Sequence, residues 1–108
     1  MILYNVWFSF KSGSDEQAEI AKTRRFLDDL QSRAKLHGYR LMKNRGSQER
    51  SKLPTYQVVA EFPDQAKLDF AMAEVARIGI HSGHHGAMIK NVSAFHVEIF
   101  EDLSAPTA

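Results

Sequence analysis

The chain has 108 residues, 44% hydrophobic and 25% charged, with a net charge of +1 and no cysteine. That length supports one compact domain with its own core, and the missing cysteines exclude disulfides, thiolate nucleophiles, Fe–S clusters and cysteine zinc sites. The small net charge hides an asymmetry, because residues 1–54 carry eleven Lys and Arg against six Asp and Glu, and residues 55–108 three against seven. The basic excess is densest from Arg33 to Lys52, where seven basic residues stand against Glu49, and it is read as a solvated surface stripe.

Ile2–Phe10 is rich in β-branched and aromatic residues and stops at a Lys-Ser-Gly-Ser turn signal, so it is read as the first strand. It is too short to span a bilayer and no cleavage site follows it. The expected location is therefore the cytoplasm, with no membrane partner. Ser14 is the expected N-cap of a helix over 15–37, with Gln17 completing a capping box and Phe26, Leu27 and Leu30 on the apolar side. Gly38 is the expected stop. A short strand over Tyr39–Asn44, a polar basic loop over Arg45–Pro54 and a strand over Thr55–Phe62 come next. Asp64 then caps a second helix whose stripe is Leu68, Ala71, Met72, Val75 and Ile78, ending at Gly79. The segment from His81 to Gly86 reads as a loop or frayed turn, Val92–Glu101 as the last strand, and 104–108 as a loose tail after a single domain over 1–103.

The order β-α-β-β-α-β folds most simply as an α+β ferredoxin-like domain. Its sheet is four-stranded and antiparallel, in spatial order 4-1-3-2, with two helices on one face. Alternation along the strands assigns faces. Ile2, Tyr4, Val6, Phe8 and Phe10, with Phe95, Val97 and Ile99, are expected under the helices. Leu3, Asn5, Trp7, Arg40, Met42, Gln57, Val59, Glu61, His96 and Glu98 are left on the open face. Exposed Trp, Leu, Met and Val make an apolar patch of the kind that marks an interface, so a two-fold homodimer pairing sheet to sheet is expected.

Five histidines are present, three of them in His81-Ser-Gly-His84-His85. Histidine changes charge near neutral pH, which makes the cluster a candidate for proton transfer, anion binding or metal binding. The spacing is not that of a recognised metal motif, and no metal is expected. The turn after strand one, the hairpin loop and the histidine segment are expected at one end of the sheet with the N-terminus of the first helix. There Lys11, Arg45, Arg50, Lys52 and the histidines would form an electropositive rim for an anion. The expected ligand of the protein is small and anionic or aromatic. His96 and Glu98 share a face and could act as an acid–base pair or as a structural pair at the dimer interface.

The element order and the mixed open face resemble the dimeric α+β barrel superfamily, and the stretch from His84 to Val92 is similar to a small group of uncharacterised bacterial proteins within it. The resemblance implies cofactor-independent oxygenase or isomerase chemistry; on our reading of the residues His96 or His85 moves a proton, Asn5 orients a substrate oxygen and Trp7 provides an apolar wall. Trp7, Arg40, Glu61, Glu98, His81 and His84 would surround the substrate in a cavity at the open face. Of the Asn, Trp and His that haem-degrading members use, only Asn5 has a counterpart, so no cofactor is expected. The alternative is a dimer that binds a ligand, with a structural or regulatory role and no chemistry. Nucleic-acid binding, suggested by the same element order, fails because Gln57 and Val59 stand where stacking aromatic rings are needed.

Overall fold

In the computed structural model, which describes residues 1–34, 36–46 and 53–104, four strands and three helices follow one another. They are β1 (Ile2–Phe10), α1 (Glu16–Ala34), β2 (Gly38–Lys43), β3 (Tyr56–Phe62), α2 (Gln65–Ile78), α3 (Gly83–Ile89) and β4 (Val92–Glu101). All strand pairings are antiparallel, and the sheet order β2-β3-β1-β4 is the expected ferredoxin-like order. Arg50 and Lys52 of the basic loop, and 105–108 of the expected tail, lie outside the described residues.

Capping follows the sequence with one correction. The α1 cap is Asp15, whose Oδ1 accepts from the Ala18 N–H at 3.2 Å, where Ser14 was expected. A carboxylate suits this place better than a hydroxyl, because it also meets the positive end of the helix dipole. Asp64 caps α2, accepting from the Lys67 N–H at 2.9 Å, and Gly79 ends that helix at φ 109°. Gly38 does not stop α1, which ends at Ala34; it opens β2.

The core forms where the sheet meets the helices. Phe8, Val58, Ala60 and Phe62 from the strands pack with Phe26, Leu27 and Leu30 of α1 and Leu68 and Ala71 of α2. Burial of each large side chain contributes about 1.5–3 kcal/mol. One polar tie binds the layers at the sheet end: Glu16 Oε2 accepts from Lys43 Nζ at 2.8 Å and from the Tyr56 hydroxyl. Those two donors hold the Glu16 carboxyl below its usual range, while burial and the neighbouring carboxylate push the Tyr56 phenol up to about 12.

Two departures concern β4. Between Trp7↔His96 and Ser9↔Ser93 the register with β1 shifts, and Ala94 adopts φ 48°. Two residues of β4 thus oppose one of β1, which is a bulge. The extra residue lets Val92 and Phe95 share the helix side although their numbers differ in parity. The second departure is exposure. Phe95 and Ile99 were expected under the helices, yet they are 69% and 52% exposed. The helices pack mainly over β1, β2 and β3, and β4 is an edge strand that only borders the covered space.

The histidine segment is also more ordered than a loop. It contains α3, whose start is set by Gly83 at φ 58°. Gly86 lies so close to the His81 backbone that an added Cβ would stand 2.3 Å from its carbonyl carbon and oxygen. Glycine is needed there because two backbone segments touch.

Candidate functional site

A cavity of about 450 Å³ lies between the sheet and the helices. Its walls come from every layer, including Tyr4 and Val6 of β1, Thr23 and Phe26 of α1, Val75 of α2 and His85 of α3. The volume is that of an ordinary small-molecule site. The cavity lies on the other side of the sheet from the open face, where the sequence led us to expect one. Val, Phe and Leu side chains fill only part of the space under three helices, and α3 roofs what remains. On the open face there is a smaller hollow of about 250 Å³ beside Trp7, Met42 and Gln57.

Three polar side chains interrupt the apolar walls. The Thr23 hydroxyl is spent on the Glu19 carbonyl at 2.9 Å. Burial pushes the Tyr4 phenol up, so it remains a neutral O–H donor. His85 is the most defined of the three. Its Nδ1 lies 2.6 Å from the Ile80 carbonyl oxygen, and its ring meets Phe26 edge-on with centroids 5.0 Å apart. A carbonyl only accepts, so Nδ1 carries the hydrogen, and in the neutral tautomer this selects the lone pair is on Nε2. Such a nitrogen is a general base or a hydrogen-bond acceptor for a cavity ligand.

The other histidines stand elsewhere. His81 and His84 are exposed, and neither lines the cavity. Among the described residues no three His, Asp or Glu side chains gather into a set able to hold a metal ion. The strand ends that flank these segments lie together: the Lys11 N–H donates to the Asn91 carbonyl at 2.7 Å, and the Thr55 N–H donates to Ser9 Oγ at 3.1 Å. Lys11 Nζ is engaged by the Lys90 carbonyl at 3.1 Å.

His96 faces the opposite side of the sheet from His85, since its neighbours Phe95 and Val97 line the cavity. The open face is laid out in cross-strand rows. Met42, Gln57, Trp7 and His96 form one; Arg40, Val59, Asn5 and Glu98 form the next; Gly38, Glu61, Leu3 and Phe100 form a third. His96 Nε2 lies 2.7 Å from Glu98 Oε1, and its ring centroid is 6.0 Å from that of Trp7. Asn5 is 4% exposed, donating to the Leu3 carbonyl and accepting from Gln57 Nε2, both at 3.1 Å. Glu61 sits 4.0 Å from His37. The structure therefore joins Asn5, Trp7, His96 and Glu98 into one cluster and separates them from His85 by the thickness of the sheet.

Sequence reasoning missed Tyr4, Thr23 and Glu19. Tyr4 was assigned to the correct face but read only as core. Thr23 and Glu19 are 1% and 3% exposed, and the signal was available, since both continue the Phe26–Leu30 stripe at helical spacing.

Strand order and element order together define a ferredoxin-like domain. The chain belongs to the family of unknown function DUF6614, whose model matches residues 1–108. No curated protein matches it. Among solved structures, it is similar to At3g17210 of Arabidopsis thaliana, at 10% identity and TM-score 0.76, over 99% of this chain and 100% of that one. It is also similar to SnoaB, a cofactor-independent oxygenase of Streptomyces nogalater, at 12% identity and TM-score 0.73, over 96% and 94% of the two chains. A third similar structure is a dimeric ferredoxin-like protein of unknown function from Jannaschia sp., at 19% identity and TM-score 0.64, over 94% and 100%. No described helix is long and apolar enough to cross a membrane.

Proposed function

We propose that the protein binds a small, largely apolar molecule in the cavity between sheet and helices, and that His85 acts on it as a base. The observation that carries this reading is the His85 ring on the wall of an apolar cavity, with Nδ1 committed to the Ile80 carbonyl and Nε2 without a hydrogen-bond partner among the described residues. Nε2 takes a proton from a ligand O–H or activated C–H, and the Tyr4 hydroxyl is available to donate to the anion formed. An electron-rich anion of this kind reacts with dioxygen or is reprotonated at another carbon. These are the oxygenase and isomerase outcomes, and SnoaB, a cofactor-independent oxygenase, has the same fold.

The probe for this reading is 2-naphthol, a flat apolar phenol, titrated into ¹⁵N-labelled protein beside naphthalene. Saturable shifts at His85, Tyr4 and Phe26 are expected. Naphthol should bind about tenfold more tightly, the value of one hydrogen bond near 1.4 kcal/mol, and His85→Ala should erase that preference. Shifts confined to Asn5, Trp7 and His96 would overturn the reading.

The open face serves in this proposal as a homodimer interface. Trp7, Met42, Val59 and Phe100 supply apolar area, Met42 and Phe100 being 39% and 53% exposed, and the Jannaschia relative is a dimer. In that role Asn5, His96 and Glu98 order the contact, with Arg40 and Glu61 also on that face. Light scattering at micromolar concentration should give twice the 12.3 kDa chain mass; a monomer would remove the proposal.

A further inference from the structure

α3, the short helix that carries His85, is fastened to α1 at two points. The first is the edge-on contact of His85 with Phe26. The second lies just past its end, where Asn91 Nδ2 donates to Glu19 Oε1 at 2.7 Å. Glu19 and Phe26 are seven residues apart on α1, about 10 Å, and His85 to Asn91 covers six residues in the opposite direction. The two pairs thus hold the α3 segment antiparallel along α1, one at each end.

Glu19 is an unusual residue to place there. It is 3% exposed, and burying a carboxylate is costly unless it is well paired. Both its donors, Asn91 Nδ2 and Lys22 Nζ at 3.1 Å, converge on Oε1. Among the described residues the buried Oε2 has no hydrogen-bond partner, and the bond to Asn91 is the one the Glu19 side chain makes outside α1.

We propose that Glu19 is a positioning residue for His85. Lys11 ties the junction between α3 and β4 to the end of β1. Through Asn91, Glu19 ties it to α1, which keeps α3 seated so that the His85 ring rests on Phe26 with Nδ1 on the Ile80 carbonyl. Loss of the Glu19 end lets α3 pivot about what remains. The inference rests on reading His85 as the base of the cavity, but its readout needs no ligand.

The unpartnered Oε2 supplies the discriminating variants. Glu19→Gln keeps an oxygen for Asn91 and loses no bond at the other position. Asn91→Asp sets carboxylate against carboxylate and breaks the bond. Combining Glu19→Gln with Asn91→Asp restores it with donor and acceptor exchanged. The measurement is the pair of ¹⁵N shifts of the His85 ring in the full chain, which report its tautomer, with exposed His81 and His84 as internal references. Wild type and Glu19→Gln should show His85 protonated at Nδ1. Glu19→Ala and Asn91→Asp should move His85 to the reference pattern and raise α3 amide exchange about tenfold. The double variant should return both to wild type. An unchanged His85 tautomer in folded Asn91→Asp, or a double variant that stays in the reference pattern, overturns the proposal. Should Glu19→Ala not fold, those two variants decide. A wild-type tautomer pattern in Asn91→Asp defeats positioning by Glu19, whereas absent naphthol shifts at His85 in wild type defeat the base itself.

Discussion

A Val6→Phe protein is expected to fold with unchanged or greater stability and to lose 2-naphthol binding by more than about tenfold, or 1.4 kcal/mol. Val6 lies mid-strand in β1 between Val58 of β3 and Val97 of β4, and all three side chains border the cavity. A phenyl ring there enters open space with small neighbours on both sides. In a filled core the same enlargement would cost about 1–3 kcal/mol, whereas filling a real void commonly adds about 0.5–2 kcal/mol. The sign of the change in a denaturant titration therefore reports whether the space exists, and the naphthol titration reports whether it is the site. A stable Val6→Phe protein with wild-type binding would place the ligand elsewhere.

Gly86→Ala is expected to act against the usual rule. Alanine in place of glycine inside a helix normally stabilises by about 1 kcal/mol. Here the new methyl group would lie 2.3 Å from the His81 carbonyl, and both groups belong to backbone that no rotamer change can move. The helix must lift away from the chain before it, at a cost of about 1–3 kcal/mol by analogy with overpacked cores. Since His85 precedes Gly86, the same movement should loosen the His85 contact with Phe26 and weaken naphthol binding. Denaturant unfolding and the naphthol titration measure the two effects, and a stabilised Gly86→Ala protein would show that the close approach is absent.

Element order, strand order and strand faces were legible because they depend on local patterns. Period-two alternation in β1 sorted Tyr4, Val6 and Phe8 from Leu3, Asn5 and Trp7, and Asp64 with Gly79 marked both ends of α2. The cavity was not legible, because empty space depends on how far three helices stand off a sheet, and no residue type encodes that distance. Hence His85 and His96, neighbours in a list of histidines, fell on opposite sides of the sheet. The histidine segment reads as a loop or frayed turn rather than a helix since glycine is a poor helix former by propensity, while Gly86 is there for a contact with His81 that only the folded chain creates. Glu19 was passed over because a charged residue in a first helical turn ordinarily faces water, and its partner Asn91 is 72 residues away.

The bulge at Ala94 also bears on how such chains can diverge. With the extra residue in place, Val92 and Phe95 both serve the chamber under the helices, and His96 serves the outer face. Deleting one residue there would restore plain alternation and force Val92 to trade faces, or carry the whole strand beyond it across the sheet. Insertions and deletions in this short stretch therefore reassign side chains between two compartments with no substitution at all. Alignments of relatives that place a gap a single position away would name the wrong residues as neighbours of the ligand.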